Sequence, residues 1–356
     1  MTEAGASVHD ISILNAIPFF ASTNLLNVAA LQGGQQNQNF LVTASTSIND
    51  LDDVQKYVVR LPGVDAAEHG QTQQIVFTNS VAAHEILKVA PKSCSFDPPT
   101  GIIVTKYLEN AENLSLKMLS EDPAIMEEVV RTIRTFHDLS DAKTFVSSKA
   151  SDVIGGYSLV NFAVGLWEEG GGEGGSGDNG ILVKATQLQT LLKNTISLFD
   201  PLVACHNDLC MGNFLIQKNQ QENEENSSCS SNISVKIIDW EWAGPGDRFC
   251  DVGIFCSFCS LTEQEEYTVL YKYLNREPTE LELARTGLWK CWFALRGAMW
   301  ARQKATSSHF HHEQIEMNDD NNYNLFANND YEHFKEMLNS ERTEKYISVV
   351  QNALKL

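Results

Sequence analysis

The alternation of apolar and polar residues near the start of the chain predicts a small antiparallel sheet with one helix. Residues 37–45 alternate in the manner of a half-buried strand, and residues 56–61 and 101–108 are rich in β-branched side chains. Between the last two segments, residues 71–90 carry apolar side chains in a helical pattern. This part of the chain is therefore predicted to be rich in strands.

The rest of the chain has mainly helical periodicity. Residues 121–139 predict an amphipathic helix whose apolar positions recur at helical spacing, namely Ile125, Val129, Ile133 and Phe136. A long helix is predicted from Thr279 to about Gln303, because Pro278 precedes it and Thr279 with Glu282 has the spacing of a capping box.

Two polar segments interrupt these elements. The glycine-rich residues 168–180 have the composition of a flexible linker or loop. Residues 218–232 separate two short apolar runs, 213–216 and 235–240, which predict strands. The second polar segment is therefore expected to be the enlarged turn of a hairpin.

Composition and charge narrow the class of protein. The 356 residues include 43% hydrophobic and 20% charged side chains, which excludes global disorder and allows two domains or one bilobal enzyme. The net charge of -20 excludes nucleic acid and anionic membranes as main partners, and it suits a cationic small molecule. No apolar run reaches the roughly 18 residues that a membrane span needs, and the start of the chain lacks a signal-peptide pattern. A cytoplasmic location without membrane insertion is expected.

The run "CHNDLCMGN" at residues 205–213 carries the first candidate chemistry. It contains His206 and Asp208, and Asn213 follows Asp208 by five positions. Asp239 then ends a second apolar strand. Protein kinases use an Asp, an Asn and a later Asp at similar spacing, so that one carboxylate orients the acceptor hydroxyl and the other two side chains hold Mg²⁺. A chance polar loop is the alternative, and the flanking strands argue against it.

A second set of residues is suited to binding phosphates. Gly33 and Gly34 precede a strand, where glycine allows a turn to approach phosphate closely, and Asn37 offers a donor. Arg60 lies in the strand at residues 56–61, where a guanidinium can bind phosphate oxygens in a bidentate manner. Taken singly, the glycines are more typical of an ordinary hairpin, and Arg60 is more typical of a strand surface. The order of these features along the chain makes the set specific.

These motifs resemble those of the choline/ethanolamine kinase group within the aminoglycoside-phosphotransferase-like superfamily. "CHNDLCMGNFLI" and "IIDWEWAGPGDRFCDVG" are similar to its catalytic loop and its metal-binding segment, while "YVVRLPG" and "GGQQNQNF" are similar to its strand arginine and phosphate loop. The resemblance covers roughly residues 25–340. It implies an α+β, bilobal, protein-kinase-like fold, with a small antiparallel-sheet N-lobe at 1–106 and a larger helical C-lobe at 107–356.

The resemblance also assigns roles. Asp208 is expected to orient or deprotonate the acceptor hydroxyl, and Asn213 and Asp239 to hold Mg²⁺. Asp251 is expected to hold the catalytic loop through hydrogen bonds rather than to act on substrate. The expected ATP contacts are Gly33, Gly34, Asn37, Arg60 and, in a hinge at residues 106–110, Tyr107.

The acceptor side is predicted from aromatic residues, because aromatic faces bind quaternary ammonium groups. Trp300, Trp242 and Phe326 are the candidates, whereas Trp289 and Trp292 favour the core. Two departures from the family pattern stand out. The helix after Arg60 offers no evident Glu to pair with it, and Gly297 occupies the place of a second tryptophan before Gln303.

The sequence therefore predicts ATP- and Mg²⁺-dependent phosphorylation of a small amino alcohol, choline or ethanolamine, by an enzyme that could be a homodimer. One alternative keeps the fold with another acceptor, such as thiamine or an aminoglycoside. The other alternative is a catalytically inactive nucleotide-binding pseudokinase, which the missing Glu supports and the intact acidic residues oppose.

Overall fold

The computed structural model describes residues 4–5, 14, 16–31, 37–45, 54–63, 73–146, 179–196, 198–218, 232–306 and 323–355. Gly33 and Gly34 lie outside these ranges, as do nearly all of the glycine-rich segment and of the polar insert. The chain divides into two compact units, one formed by residues 1–151 with 211–245 and the other by residues 152–210 with 246–356. The predicted lobe boundary after residue 106 stays a prediction.

The first unit contains an antiparallel sheet of six strands within the described residues, in the order β1-β2-β3-β4-β6-β5. The strands are β1 (Ala4–Gly5), β2 (Asn24–Leu31), β3 (Gln38–Ser45), β4 (Val54–Leu61), β5 (Ser93–Asp97) and β6 (Ile102–Lys106). The predicted strands β3, β4 and β6 are confirmed. Strands β2 and β5 were not predicted, because "NLLNVAAL" does not alternate strictly and "SCSFD" has few apolar residues.

One face of this sheet packs into a hydrophobic core. Phe40, Val42, Val59 and Val104 are almost completely buried there, together with Phe20 from the segment before β2. Their alternation along each strand fixes the register, since a slip by one residue would expose the whole apolar set. The register places Arg60 opposite Asn39 on β3 and Ile103 on β6.

Helix α1 (Gln73–Glu85) packs against β5 and against a short 3-10 turn at Trp240–Trp242. The buried side chain of Asn79 fastens it, because its amide nitrogen donates to the carbonyl of Ala243 at 3.2 Å. The helix predicted at residues 71–90 is confirmed within the described residues, although it ends at Glu85.

A second antiparallel sheet in the first unit has the order β10-β9-β7. It contains β7 (Ala111–Asn113), β9 (Phe214–Lys218) and β10 (Ile233–Ile237), so the predicted hairpin is confirmed. Two helices follow β7, α2 (Leu116–Glu121) and α3 (Pro123–Asp138), and the buried apolar stripe of α3 packs against β10. The side chains of Ser115 and Asp122 cap α2 and α3 respectively.

The second unit is mainly helical. Its elements in chain order are α4 (Asn179–Thr195), β8 (Val203–Cys205), α5 (Arg248–Phe258), α6 (Glu263–Leu274), α7 (Glu280–Thr306), α8 (Tyr323–Leu338) and α9 (Glu341–Ala353). Strand β11 (Gly244–Gly246) includes the last two residues of the first unit and the residue at which the second unit resumes. Helix α7 is central, since α4, α5, α8 and α9 all pack against it. Within the described ranges, none of the helices has the length and apolar character needed to cross a bilayer.

The start of α7 has the predicted capping box. The Thr279 hydroxyl accepts from the Glu282 amide at 3.3 Å, and the Glu282 carboxylate accepts from the Thr279 amide at 2.8 Å. Further along, α5 approaches α7 closely at Gly253, where a Cβ would lie 2.8 Å from the Thr286 carbonyl oxygen. Gly253 is therefore required for this helix contact, which fixes α7 relative to α5.

Candidate active site

Arg60 is the centre of the site in the first unit. Strand β4 directs its side chain to two carboxylates, and Nη1 lies 2.9 Å from Oδ1 of Asp239 while Nη2 contacts Glu241. Only 14% of the Arg60 side chain is exposed, and 6% of that of Glu241. Burial acts to lower the pKa of Arg60, but the two carboxylates outweigh it, so the pKa is raised above its ordinary value. The guanidinium is therefore a fixed positive charge.

The amide of Asn37 also lies beside this guanidinium. When its oxygen faces Arg60, it accepts from Nε at 3.2 Å and from Nη2 at 2.6 Å. The structure thus brings together three residues predicted from separate motifs, namely Asn37, Arg60 and Asp239. Gly33 and Gly34 of the same predicted phosphate site lie outside the described residues.

Asn213 and Asp239 lie at the same end of the β9-β10 hairpin. Asn213 directly precedes Phe214, which pairs with Ile237, and the Asn213 carbonyl accepts from the Ile238 amide at 2.9 Å. Asp239 adopts a left-handed conformation with φ of 67°, which is uncommon outside glycine but tolerated by Asp and Asn. Such conformations concentrate at functional sites, where the surrounding structure holds them.

The donor chemistry at this hairpin end suits a hard divalent cation. An amide oxygen of Asn213 and a carboxylate of Asp239 are the oxygen ligands that Mg²⁺ prefers. The Asp239 side chain is 35% exposed, so part of it is accessible to a ligand. Beneath it, Trp240 is buried and donates from Nε1 to the Ile237 carbonyl at 3.1 Å, which fixes the turn.

The loop that carries Asp208 belongs to the second unit, five residues before Asn213 in the chain. The carboxylate of Asp251, on α5, is completely buried and accepts from the backbone amides of His206 and Asn207, both at 2.7 Å. Asn207 has a left-handed φ of 63°, and Asp208 directly after it is half-buried. The expectation that Asp251 holds this loop is confirmed.

Arg296, on α7, fixes the same loop from another direction. Its Nη1 donates to the Asn207 carbonyl at 2.7 Å. Burial lowers the pKa of Arg296, and the charges of Asp208 and Asp251 partly offset that effect. The charge of Arg296 is therefore held in the same unit as the acidic loop, with its hydrogen bond on the residue directly before Asp208.

Asp247 anchors the start of α5 to α7. Its carboxylate accepts from the Phe249 amide at 3.0 Å, from Arg285 at 2.9 Å and from Trp289 Nε1 at 3.0 Å. Trp289 and Trp292 are both almost completely buried, so their predicted place in the core is confirmed. Asp247 thus supports the helix that carries Asp251.

The aromatic residues predicted to contact the acceptor have different environments. Trp300, on α7, packs edge-on against Tyr323 of α8, with ring centroids 5.7 Å apart. Phe326 is 48% exposed on α8, and Trp242 is partly buried in the first unit. Tyr107 follows β6, where its amide donates to the Lys56 carbonyl at 3.1 Å and the Lys56 ammonium lies 5.8 Å from its ring.

Two residues of the site were not predicted. Glu241 is the carboxylate partner of Arg60, which was expected on the helix that follows Arg60. It stands two positions after Asp239 in "DWEWAG". Arg296 belongs to none of the sequence motifs. A charged residue among the apolar positions of a core helix could have indicated it, because a buried charge is costly without a specific partner.

Replacing Asp251 with alanine is expected to destabilise the second unit by about 3 kcal/mol or more, because two buried amides would lose charge-assisted hydrogen bonds. Turnover should fall as well, since the loop that carries Asp208 would lose its position. Chemical denaturation of the purified variants measures the first effect. Asp251→Asn keeps one acceptor oxygen and should therefore lose less stability than Asp251→Ala. If the free energy of unfolding of Asp251→Ala equalled that of wild type, Asp251 would not be the residue that holds this loop.

The chain is similar to proteins of one family of small-molecule kinases. The family model described as choline/ethanolamine kinase matches residues 28–284. Protein LicA of Haemophilus influenzae is 24% identical over 260 residues, which cover 72% of this chain and 66% of that protein.

Solved structures show the same fold. A choline/ethanolamine kinase family protein from Mesorhizobium loti superimposes with a TM-score of 0.70 at 18% identity, covering 96% of this chain and 98% of its own. Choline kinase LicA from Streptococcus pneumoniae superimposes with a TM-score of 0.65 at 20% identity, covering 93% and 99% respectively. The predicted fold class, with a sheet-rich N-terminal part and a helical C-terminal part, is confirmed.

Proposed function

Since the chain belongs to the choline/ethanolamine kinase family, we propose that it is an ATP- and magnesium-dependent kinase whose acceptor is a small amino alcohol, choline or ethanolamine. The observation that carries the proposal is the fixation of the Asp208 loop. The backbone amides of the two residues before Asp208 donate to the carboxylate of Asp251, and Arg296 donates to the carbonyl of Asn207. Such preorganisation is what positioning catalysis requires.

Asp208 is the residue to which we assign the acceptor hydroxyl. Its carboxylate orients that hydroxyl and accepts its proton as the oxygen attacks the γ-phosphorus of ATP. The bond between the γ-phosphorus and the β,γ-bridging oxygen breaks, and ADP leaves with the electron pair. Arg296 donates to the carbonyl of Asn207, so the residue directly before Asp208 is held in place during the reaction.

Arg60, Asn37 and Asp239 form the nucleotide side of the proposed site. Arg60 presents a buried positive charge that suits phosphate oxygens, and Glu241 keeps its guanidinium oriented when other groups bind. Asn213 and Asp239 would hold magnesium, which would neutralise charge on the phosphates when bound. Gly33, Gly34 and Tyr107 complete the nucleotide site in this proposal.

The acceptor's ammonium group is assigned to the second unit. The Trp300 and Tyr323 ring pair offers aromatic faces to a cation, and Phe326 on the same helix as Tyr323 has an exposed ring. Trp242 is the further aromatic residue that we assign to acceptor binding. The acidic net charge of -20 favours the approach of a cationic acceptor over an anionic one.

ATP consumption by the purified protein with Mg²⁺ tests the proposal when choline, ethanolamine, thiamine and an aminoglycoside are supplied separately. Turnover is expected with choline or ethanolamine and not without an acceptor. The decisive control omits Mg²⁺ and replaces it with a chelator.

Each result of this panel has a different meaning. Turnover restricted to thiamine or the aminoglycoside would keep the kinase assignment and reject the acceptor. Nucleotide binding without turnover on any acceptor, and without dependence on Mg²⁺, would support an inactive pseudokinase instead.

A further inference from the structure

A carboxylate on α8 occupies space that a glycine leaves on α7. If Gly297 carried a Cβ atom, that atom would lie 2.7 Å from Oδ2 of Asp330, closer than such contacts allow. Every other amino acid at position 297 would therefore displace the Asp330 carboxylate. The carboxylate can occupy this position only because Asp330 supplies it and Gly297 leaves the space for it.

Asp330 lacks the partner that a partly buried carboxylate usually has. Among the described residues, its side chain makes no hydrogen bond and no ion pair, and it is only partly exposed. Burial raises its pKa to about 6, so it is still mostly ionised near neutral pH. A charge kept in this environment without a counter-charge is destabilising, and a bound cation would relieve that cost.

The residues of α7 next to Asp330 connect it with the Asp208 loop in the same unit. Arg296, directly before Gly297, donates to the loop residue that precedes Asp208. Trp300 lies one turn after Gly297 on the same side of α7, and its ring packs against Tyr323 of α8. Asp330 lies two turns after Tyr323 and shares its face of α8. The carboxylate therefore faces α7 one turn before Trp300 and next to the residue that follows Arg296.

We propose that Asp330 is the acceptor-specificity residue of this kinase and that it receives an ammonium group bearing N–H bonds, as in ethanolamine, in preference to a quaternary one. This inference rests on the proposed function. It assigns the substrate class of the same site, which the aromatic residues alone leave open between choline and ethanolamine.

Hydrogen bonding gives the physical basis for this preference. An N–H group donates to a carboxylate in a charge-assisted bond, which is roughly twice as strong as a neutral one. A trimethylammonium group has no N–H and is best held by several aromatic faces. Helix α7 provides the ring of Trp300, but one turn earlier it has Gly297 where the family has a second tryptophan. The space that this second ring would fill is occupied by the carboxylate of Asp330.

The test compares the kcat/KM of wild type and Asp330→Asn for ethanolamine, its N-methyl and N,N-dimethyl derivatives, and choline. Asp330→Asn should lower kcat/KM for ethanolamine by about tenfold or more, with the loss shrinking as each N–H is replaced and staying below about threefold for choline. The KM for ATP should not change. Glu336→Gln, which removes an exposed carboxylate from the same helix, is the matched control and should behave as wild type.

A second variant tests the pair without changing the charge. Gly297→Ala keeps Asp330 but displaces its carboxylate, so it should shift selectivity toward choline in the same direction. Thermal unfolding of both variants shows whether they are folded.

The outcomes separate this inference from the proposed function. Wild-type turnover on amino alcohols with an unchanged selectivity in both variants would overturn the role of Asp330 and leave the kinase assignment standing. An equal loss for every acceptor would do the same, because it would indicate a structural role. Absence of wild-type turnover on every amino alcohol would overturn the proposed function and this inference together.

Discussion

Asp208→Asn is expected to lower turnover of the amino alcohol by about 10³-fold while the affinity for nucleotide stays within about twofold of wild type. The amide has the same shape as the carboxylate, but it cannot accept a proton or orient a hydroxyl with a negative charge. The loop itself should remain in place, because its fixing bonds run from the backbone of His206 and Asn207 to Asp251 and from Arg296 to Asn207.

Two measurements separate chemistry from binding in this variant. Steady-state kinetics with the preferred acceptor give the loss of turnover, and calorimetric titration with ADP and Mg²⁺ gives nucleotide affinity. Glu336→Gln serves as the control, since it removes an exposed carboxylate of the same unit. If the turnover of Asp208→Asn stayed within about tenfold of wild type, Asp208 would not be the residue that accepts the proton of the acceptor hydroxyl.

Local sequence patterns were sufficient to predict those helices and strands that are determined by residues close together in the chain. The strands β3, β4 and β6 alternate or are rich in β-branched residues, and α3 has a regular apolar stripe. The Thr279 capping box joins residues only three positions apart. In each case, the interaction that fixes the element lies within a few residues, so a short window of sequence contains it.

Contacts between distant segments could not be found in this way. Arg60 and Glu241 are 181 positions apart, and Arg296 and Asn207 are 89 positions apart. Nothing in the local sequence of either partner specifies the other, because the register of the sheet and the packing of α7 bring them together. The Glu that pairs with Arg60 therefore lies in "DWEWAG" and not in the helix that follows Arg60 in sequence.

The role of Asp251 was predicted from the sequence, but not from a local pattern of residues. Its role in holding the catalytic loop came from the resemblance to a family, not from hydrophobic periodicity. The structure supplies the physical reason: a fully buried carboxylate at the start of α5 accepts two backbone amides, which a neutral residue of similar size could not satisfy equally well.

Arg60 has two acidic partners in the proposed nucleotide site. Its guanidinium is shared between the partly exposed Asp239 and the buried Glu241, whose side chain is 6% exposed. Glu241 therefore acts as the permanent partner, and Asp239 can turn to a metal ion without leaving a buried positive charge unpaired. This arrangement predicts that a change at Asp239 affects ligand binding far more than folding.

Asp239→Asn is accordingly expected to abolish the Mg²⁺ dependence of nucleotide binding and to lower turnover by at least about 10²-fold. An amide oxygen is a weaker ligand for Mg²⁺ than a carboxylate, and the variant also removes one negative charge beside Arg60. Calorimetric titration with ADP, with and without Mg²⁺, measures the first effect independently of turnover. Wild type should bind more tightly with the metal, whereas Asp239→Asn should bind equally in both conditions.

The control for this variant is Glu112→Gln, which neutralises an exposed carboxylate on β7 of the same unit. It should retain both the Mg²⁺ dependence and the turnover of wild type. The thermal midpoint of Asp239→Asn should stay close to that of wild type, because Glu241 still pairs with Arg60. If Asp239→Asn instead kept a full response to Mg²⁺, Asp239 would not be a metal ligand, and its contact with Arg60 would be structural.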